Sequence, residues 1–336
     1  MGSPLVSVII PTYNRADTIR VAIDSVRAQT YKNIQLIVVD DGSRDHTREL
    51  LANSPDIEYV YQDNQGQAAA RNTGLAMAKG ELIASLDSDD YWSSVFLEKC
   101  VDAILRHNLD FVFANWYQMS NGEGKQWEDF FLNYPFIKPF LKNKRGGFFL
   151  LNAADLRALY LRACPSPSSA VVMKRSSIPN GWNQNLNIGD DWGLYLDMIL
   201  AKPCSAAFTM EKLWNKGVDG QNVYEGRDRV DLVRLLLIED TKEILNNYTG
   251  KLNKKEHKML ERQYVAGVME LGKHVLVREG QLAKALALFR RGLSLDVAHG
   301  LLTVLKLVGN AFGQRIRIIK RKIRGTKQSS AITARH

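Results

Sequence analysis

Residues 5–10 have the sequence LVSVII, a mostly apolar run that predicts a buried β-strand ending at Pro11. Apolar residues at helical spacing follow between Thr18 and Gln29. The alternation continues to residue 86, with strands expected at Ile34–Val39, Glu58–Tyr61 and Leu82–Leu86 and helices at Thr47–Ala52 and Gln67–Ala78. Such alternation is typical of an α/β domain in which a parallel sheet carries helices on its faces.

Acidic residues follow two of these strands at their carboxyl ends, where ligands bind in sheets of this type. The strand Leu82–Leu86 leads directly into Asp87, Asp89 and Asp90. Their carboxylates repel one another unless a cation or solvent compensates, and open oxygen ligands suit Mg²⁺ or Mn²⁺ bridging a substrate's phosphates. The alternative is a solvated acidic turn before a helix predicted near Val95–Arg106.

Two other segments suit a nucleotide. In Asp40–Ser43 (DDGS) a carboxylate can accept the imide N–H of a nucleobase, although an ordinary strand-to-helix turn has the same composition. Gly66–Gly74 places small residues and Arg71 on the first turns of a helix, which suits a diphosphate. The alternative for this segment is close packing of its alanines.

Four segments occur in a fixed order: Ser7–Arg15 (SVIIPTYNR), Val38–Ser43 (VVDDGS), Ala70–Gly74 (ARNTG) and Leu86–Asp90 (LDSDD). Together they resemble the family 2 glycosyltransferases of the GT-A fold, which are inverting enzymes that use nucleotide-sugar donors. The resemblance covers roughly residues 5–220. It implies an α/β domain with a Rossmann-like, mostly parallel sheet flanked by helices, here followed by an α-helical C-terminal extension.

The resemblance also implies roles for individual residues. Pro11 and Tyr13 match the loop that lies against the nucleobase, and Asp41 matches the carboxylate that recognises uracil. Arg71 matches a basic position near the nucleotide. Asp87 and Asp89 match the two ends of the Asp-x-Asp motif, with Asp89 as the direct ligand of a divalent cation, Mn²⁺ or Mg²⁺.

The catalytic base is expected further along the chain. Gly181–Leu186 and Gly189–Trp192 resemble the family segment that ends in a Glu-Asp pair; here Asp190 replaces the Glu, and Asp191 occupies the position of the base. The implied reaction is a single displacement in which Asp191 removes the proton of the acceptor hydroxyl. The structural alternative is an N-cap for a helix beginning near Trp192, and capping is compatible with catalysis.

One segment departs from the family pattern. Many members carry a histidine-containing basic segment after the base helix, whereas Trp214–Asn222 contains no histidine. Lys216 could supply the charge, but the missing side chain predicts a weaker or more exchangeable metal.

Three parts of the chain are expected: a GT-A domain over residues 1–225, a helical domain over 226–296 and a basic amphipathic tail over 297–336. Within the first, residues 121–151 combine aromatic and basic side chains and are interpreted as an ordered insertion or lid. The stretch from Arg227 to Leu295 lacks proline and is predicted to be almost wholly helical, and Gln263–Leu295 faintly resembles a tetratricopeptide-type helix pair.

Composition limits the class of protein. Hydrophobic content of 45% and charged content of 24% exclude disordered, collagen-like and disulfide-knot chains. Three well-separated cysteines indicate a reducing compartment and argue against a zinc ribbon. Of the net charge of +9, all comes from the tail, because the residues before Val297 carry 36 basic and 36 acidic side chains.

The tail predicts a membrane contact. Seven apolar residues fall on one helical face: Leu301, Leu305, Val308, Phe312, Ile316, Ile319 and Ile323. Basic residues lie largely elsewhere on the helix, which suits an anionic membrane surface; docking on the protein's own helical domain is the alternative. No signal-peptide or spanning pattern is evident, so the protein is expected in the cytoplasm, peripherally attached to the inner face of the membrane.

The expected partners are a nucleotide-sugar donor, with UDP favoured by Asp41, and a saccharide or lipid-linked acceptor in cell-envelope polysaccharide synthesis. Thymidine and guanine nucleotides present comparable N–H groups. No nucleic-acid partner is expected, because the basic tail has no supporting fold. The rival functions are a nucleotide-sugar-binding scaffold and a nucleotidyltransferase; the latter is disfavoured because Pro11–Ala16 contains no glycine, and a dehydrogenase because no Gly-x-Gly-x-x-Gly follows the first strand.

Overall fold

The computed structural model describes residues 2–52, 54–120, 131, 134–218, 227–303 and 305. These residues divide into two compact units. The first contains the chain up to Arg227 together with Asn246–Glu256. The second contains Asp228–Leu245 and the described residues from His257 onward.

The first unit is built on a mixed sheet of ten strands among the described residues. The strands are β1 (Val6–Thr12), β2 (Ile34–Asp40), β3 (Ile57–Tyr61), β4 (Leu82–Ser85), β5 (Tyr91–Trp92), β6 (Phe111–Ser120), β7 (Lys144–Arg145), β8 (Phe148–Leu151), β9 (Val171–Lys174) and β10 (Ala206–Val218). Their order is β3-β2-β1-β4-β9-β6-β10-β8-β7, and β5 pairs with β10. The first four strands in this order are parallel, and β9 runs antiparallel between β4 and β6.

Helices flank this sheet, which confirms the predicted α/β class. In the first unit they are α1 (Ile19–Arg27), α2 (Thr47–Leu51), α3 (Gln67–Met77), α4 (Phe96–His107), α5 (Ala153–Tyr160) and α6 (Asp190–Ala201). The predicted positions of α1 to α4 are confirmed within two residues at each end. Helix α3 approaches β1 closely, because a Cβ on Gly74 would lie 2.4 Å from Cγ2 of Ile9.

Strand β1 continues to Thr12, so the prediction that it ends at Pro11 is wrong. The Leu86 N–H donates to the Ile9 carbonyl on the β4 side of β1, and position 11 faces the same side two residues further on. Because β4 ends at Ser85, the N–H that a proline lacks has no strand partner to lose there. Proline is therefore tolerated at this position of the strand.

An aromatic cluster packs α6 against the sheet. Phe111 on β6 stacks on Tyr195 of α6, with ring centroids 5.9 Å apart, and Tyr160 of α5 meets both rings edge to face. All three side chains are buried. This packing holds α6 against the sheet, so that the first turn of α6 lies at a defined place relative to the strand ends.

The second unit is helical over its described residues, as predicted. The helices that follow Arg227 are α7 (Arg229–Leu232), a π-helical stretch (Val233–Asp240), α8 (Thr241–Tyr248), α9 (Lys254–Glu279) and α10 (Leu282–Leu295). Glycines let α9 and α10 approach closely, since a Cβ on Gly272 would lie 2.8 Å from Phe289 Cε1. None of the described helices is long and apolar enough to span a bilayer.

Two sequence predictions lie wholly or partly outside the described residues. Of the 121–151 insertion, positions 121–130 and 132–133 are outside; the described remainder includes β7 and β8. Of the seven apolar tail residues, only Leu301 and Leu305 are described, and both are exposed.

Candidate active site

Arg71 lies at the centre of an ion-pair network at the carboxyl ends of the strands. From α3, its Nη2 donates to Asp87 Oδ1 at 2.7 Å and its Nη1 donates to Asp190 Oδ2 at 2.5 Å. Nη1 also lies 3.8 Å from Asp191 Oδ1. The guanidinium side chain is only 2% exposed. The structure therefore brings together three segments that are far apart in the sequence.

The charges in this network shift one another's pKa values. Burial alone would lower the pKa of Arg71, but the carboxylates of Asp191, Asp87 and Asp190 outweigh burial and raise it. Burial raises the pKa of Asp190 to about 7, against the opposing influence of Arg71. Asp190 Oδ1 also accepts a 2.8 Å hydrogen bond from Gln67 Nε2. Both oxygens of the buried Asp190 are thus engaged by α3.

Asp191 is held differently and is more open. Its Oδ2 accepts from the Ser168 N–H at 2.9 Å, its Oδ1 accepts from the Ser168 hydroxyl, and Trp182 Nε1 donates to Oδ1 at 3.3 Å. The side chain is 19% exposed, compared with 2% for Asp190. Of the two predicted catalytic carboxylates, only Asp191 is both positioned by hydrogen bonds and accessible to a substrate.

The two aspartates do not form an N-cap. Helix α6 begins at Asp190 with Gly189 as its N-cap, so Asp190 and Asp191 lie in the first helical turn. The alternative of an N-cap before a helix starting near Trp192 is therefore wrong by two residues. Negative charge in the first turn is favourable because it faces the positive end of the helix dipole.

The acidic turn after β4 is fixed by one serine. Ser169 Oγ accepts from the Asp87 N–H at 3.0 Å and donates to Asp90 Oδ2 at 2.6 Å. Asp90 Oδ1 accepts from the Gly217 N–H of β10 at 2.9 Å. Burial raises the pKa of Asp90 to about 8, with Lys216 opposing the rise and its acidic neighbours adding to it. Both oxygens of Asp90 are therefore engaged within the protein, and Asp87 and Asp89 stay the predicted ligand positions of this turn.

Asp89 pairs with the first loop of the chain. Arg15 Nη2 lies 3.4 Å from Asp89 Oδ2, and both side chains are largely buried. A Cβ at Gly217 would lie 2.1 Å from the Asp89 carbonyl oxygen, so only glycine fits beside this turn. The predicted ligand position and the loop after β1 thus lie next to each other.

Asp41 shapes the approach to α3. Its Oδ1 accepts from Gln62 Nε2 at 2.7 Å and from the Gln65 N–H at 2.9 Å, while Oδ2 accepts from the Gly66 N–H at 2.7 Å. Gly66 is the N-cap residue of α3. The buried carboxylate predicted to read a nucleobase therefore also anchors the loop that leads into the Arg71 helix.

The two remaining predicted nucleotide contacts lie at the end of β1. Pro11 is buried within the strand, and Tyr13 on the following loop is 44% exposed. Because β1 and β2 are parallel neighbours, Pro11 and Tyr13 lie at the same sheet edge as Asp41.

Sequence reasoning missed the residues that position the carboxylates. Ser168 and Ser169 lie in a short 3₁₀ turn before β9, and no recognised motif marks them. Trp182 lies in Gly181–Leu186 and Gln67 lies in Gly66–Gly74, but the sequence assigns no role to either side chain. For Ser168 and Ser169 the available signal was the proline punctuation of Pro165–Pro167, which indicates an ordered turn and no more.

Comparison with known proteins identifies relatives of part of this chain. Residues 7–163 match the family model described as Glycosyl transferase family 2. The Escherichia coli enzyme WfgD, named a UDP-Glc:alpha-D-GlcNAc-diphosphoundecaprenol beta-1,3-glucosyltransferase, is 41% identical over 124 residues, which are 36% of this chain and 49% of WfgD. WfaP of Escherichia coli, with the same activity in its name, is 40% identical over 116 residues, 34% of this chain and 46% of WfaP. The chain thus spans about half the length of these curated relatives.

Solved structures share the fold at low sequence identity. S. aureus TarS 1–349 in complex with UDP-GlcNAc has a TM-score of 0.57 and 17% identity, and the match covers 91% of this chain and 92% of that one. The mannosyltransferase PcManGT from Pyrobaculum calidifontis, in complex with GDP-Man and Mn²⁺, has a TM-score of 0.54 and 19% identity, and the match covers 91% of this chain and 87% of that one. The resemblance is confirmed: residues 7–163 match glycosyl transferase family 2, and the sheet that carries them has the GT-A fold.

Proposed function

We propose that this protein is an inverting, metal-dependent glycosyltransferase that moves a sugar from a UDP-sugar to a hydroxyl of a saccharide or lipid-linked acceptor. The observation that carries the proposal is the contact of Arg71 with both Asp87 and Asp190. It brings the acidic turn of the donor motif next to the turn that bears Asp191. A donor-binding group and a general base are thus adjacent, as a single displacement requires.

The donor assignment rests on the β1 and β2 ends. Asp41 can accept an imide N–H of uracil, with Pro11 and Tyr13 beside it at the same sheet edge. UDP-Glc in the names of WfgD and WfaP, and UDP-GlcNAc bound to TarS, support a uridine nucleotide for this chain.

The carboxylates fit a divalent cation that a substrate helps to hold. Among the described residues, no three or more His, Cys, Asp or Glu side chains are grouped to hold a metal by themselves. Asp89, with Asp87 beside it in the turn, offers the hard oxygen ligands that Mg²⁺ and Mn²⁺ prefer, and such ions commonly take one or two carboxylates plus substrate phosphates. When bound, the cation would offset the charge that develops on the leaving diphosphate. Mn²⁺ in the PcManGT complex supports the assignment.

The displacement follows from the position of Asp191. The acceptor oxygen forms a bond to the anomeric carbon while the bond from that carbon to the diphosphate oxygen breaks, and the nucleoside diphosphate leaves with the electron pair. The acceptor proton passes to the Asp191 carboxylate, which Ser168 and Trp182 hold in place. Attack from the face opposite the leaving group inverts the anomeric configuration.

The acceptor side is proposed from the relatives and from the tail. WfgD and WfaP are named for a diphosphoundecaprenol-linked sugar, which supports a lipid-linked acceptor and a part in cell-envelope polysaccharide synthesis. The basic, amphipathic pattern of residues 297–336 supports attachment to the inner face of an anionic membrane. A truncation to residues 1–296 should then lose binding to anionic liposomes that the full chain retains.

The test is donor turnover by the full chain across a panel of nucleotide sugars, with Mn²⁺, Mg²⁺ or EDTA. Slow hydrolysis should release a nucleoside diphosphate in a metal-dependent manner, and Asp89→Ala should abolish the release. Asp102→Ala, which removes an exposed acid on α4, is the matched control and should turn over normally. Binding without release would favour the scaffold function, release of pyrophosphate from a nucleoside triphosphate would favour a nucleotidyltransferase, and no nucleotide binding would refute both the proposal and the scaffold.

A further inference from the structure

A polar cleft lies on the first unit beside α6. Its volume is about 460 Å³, within the range of about 300–1,000 Å³ typical of ligand sites. Side-chain amides dominate its lining, from Asn180, Asn183, Gln184, Asn185 and Asn247. Nothing in the proposed donor site uses this cleft.

The charges in the cleft cancel. Asp197 and Lys251 both line it, and Lys251 Nζ lies 3.7 Å from Asp197 Oδ1. Asp197 Oδ2 accepts a 2.7 Å hydrogen bond from Asn180 Nδ2. One carboxylate and one ammonium that already interact leave the described lining without a net charge, so the cleft does not favour an anion such as a phosphate.

The amides match hydroxyl groups. Each Asn or Gln amide offers both donors and an acceptor, and a sugar hydroxyl likewise donates and accepts. Gln184 and Asn185 are exposed, so their amides are available to a ligand in the cleft. A neutral ligand with many hydroxyls satisfies this lining better than an apolar or a charged ligand does.

One residue connects the cleft with the proposed base. Trp182 lines the cleft and donates its Nε1 hydrogen to Asp191 Oδ1. Its backbone is clamped by the Asn72 side chain, which donates to the Trp182 carbonyl at 2.7 Å and accepts from the Trp182 N–H at 2.8 Å. Gly193, two residues after Asp191, also lines the cleft. The lining of the cleft is therefore in hydrogen-bond contact, through Trp182, with the carboxylate that would deprotonate an acceptor.

We infer that this cleft binds the neutral saccharide part of the acceptor, beyond the hydroxyl that reacts. This assignment rests on the proposed function for its catalytic meaning, but saccharide binding by the cleft can be measured without turnover. The occupant is a neutral mono- or disaccharide unit held by amide hydrogen bonds.

The kinetic test uses the double variant Gln184→Ala/Asn185→Ala in the full chain. Neither side chain makes a hydrogen bond within the described residues, so the fold should be unaffected. With a short-chain alkyl diphosphate-linked GlcNAc as acceptor, KM for the acceptor should rise about tenfold, because the hydrogen bonds of two side-chain amides to the saccharide are lost. Acceptor-free hydrolysis of the donor should keep its wild-type rate.

Asn246→Ala is the matched control, since it removes an exposed amide next to Asn247 that does not line the cleft. It should leave acceptor KM unchanged. An unchanged acceptor KM in the double variant, or an equal loss of donor hydrolysis, would overturn the inference.

A binding test separates this inference from the proposed function. Saturation-transfer NMR with glucose, N-acetylglucosamine, cellobiose and chitobiose should detect a bound saccharide in the wild type and lose it in Gln184→Trp, which fills the cleft. This result is expected even if no donor is turned over, in which case the proposed function fails and the cleft assignment stands. The assignment would be refuted if no saccharide signal is seen, if Gln184→Trp leaves the signal unchanged, or if glucuronate binds more tightly than glucose.

Discussion

Arg71 Nη1 lies 2.5 Å from Asp190 Oδ2, although the two residues are 119 positions apart in the chain. Both side chains are 2% exposed. The pair fixes the first turn of α6 against α3. The position of the proposed base, Asp191 on α6, therefore depends on α3. The geometry of the site thus depends on a buried ion pair between its two halves.

Removing Arg71 should destabilise the protein strongly. Arg71→Met leaves the buried Asp190 and the partly exposed Asp87 without their shared cation, which we expect to cost about 3–5 kcal/mol of unfolding free energy. Urea denaturation of the full chain measures this cost. Arg106→Met, which breaks the exposed pair with Asp102, should cost no more than about 1 kcal/mol. Equal costs for the two variants would show that the buried network is not a stability element.

Asp191→Asn should separate donor binding from transfer. The amide oxygen can replace Oδ2 and accept from the Ser168 N–H, and the amide nitrogen in place of Oδ1 can donate to the Ser168 hydroxyl, although the hydrogen bond from Trp182 Nε1 is lost. The fold and donor affinity should therefore change little, but the side chain can no longer take up a proton. We expect the transfer rate to fall about 10²–10⁴-fold. Transfer kinetics and donor titration on the same preparation measure the two effects, with Asp102→Asn as the control. A variant that transfers sugar at near wild-type rate would remove Asp191 from its role as the base.

Gly217→Ala should displace the acidic turn after β4. The added Cβ would lie 2.1 Å from the Asp89 carbonyl oxygen, so the backbone has to move, at a cost of about 1–3 kcal/mol. We expect donor hydrolysis to fall at least about tenfold, in line with the sensitivity of positioned sites to small displacements. Gly250→Ala is the matched control, because a Cβ there meets nothing within 4 Å. Normal donor hydrolysis by Gly217→Ala would mean that the position of this turn does not matter for turnover.

Asp110 should make stability depend on pH in the acid range. Its carboxylate accepts from Ser177 Oγ at 2.6 Å and from the Ser205 N–H at 2.9 Å. Burial alone would raise the pKa of Asp110, but these hydrogen bonds and the charge of Lys202 outweigh burial and lower it. Because the folded-state pKa is below the unfolded value of about 4, the stabilisation is complete above that value and is lost as pH falls through the folded pKa.

Asp110→Asn should therefore cost about 1–2 kcal/mol at pH 7, and the difference from the wild type should shrink as pH falls from about 5 to about 2. Urea midpoints across this pH range provide the measurement. A difference that stays constant with pH would show that packing, and not the charge of Asp110, is responsible.

The sequence predicted the sheet and the acidic strand ends because both are local signals. An apolar run followed by Asp and Gly specifies a strand and its exit turn, as at Leu82–Asp87. The mixed part of the sheet was not predicted, because β9 enters between β4 and β6 through pairing with strands that are distant in sequence.

The positions of Ser168 and Ser169 depend on this entry of β9, which places them under Asp191 and Asp90. Periodicity and composition carry no information about such contacts. The roles of the predicted site residues themselves stay predictions, although the structure does bring Arg71, Asp87, Asp190 and Asp191 together.

Asn72 follows Arg71 on α3, and its double hydrogen bond to the Trp182 backbone has a consequence for protein engineering. A Cβ at Gly181 would lie 2.4 Å from Asn72 Oδ1, so the loop and the helix fit only as a matched pair. Chimeras that exchange residues 181–186 with those of a relative and place a side chain at position 181 should fold only when Asn72 is exchanged as well. If the cleft binds the acceptor as we infer, a change of acceptor preference then requires substitutions in two separate parts of the chain, one of which is helix α3.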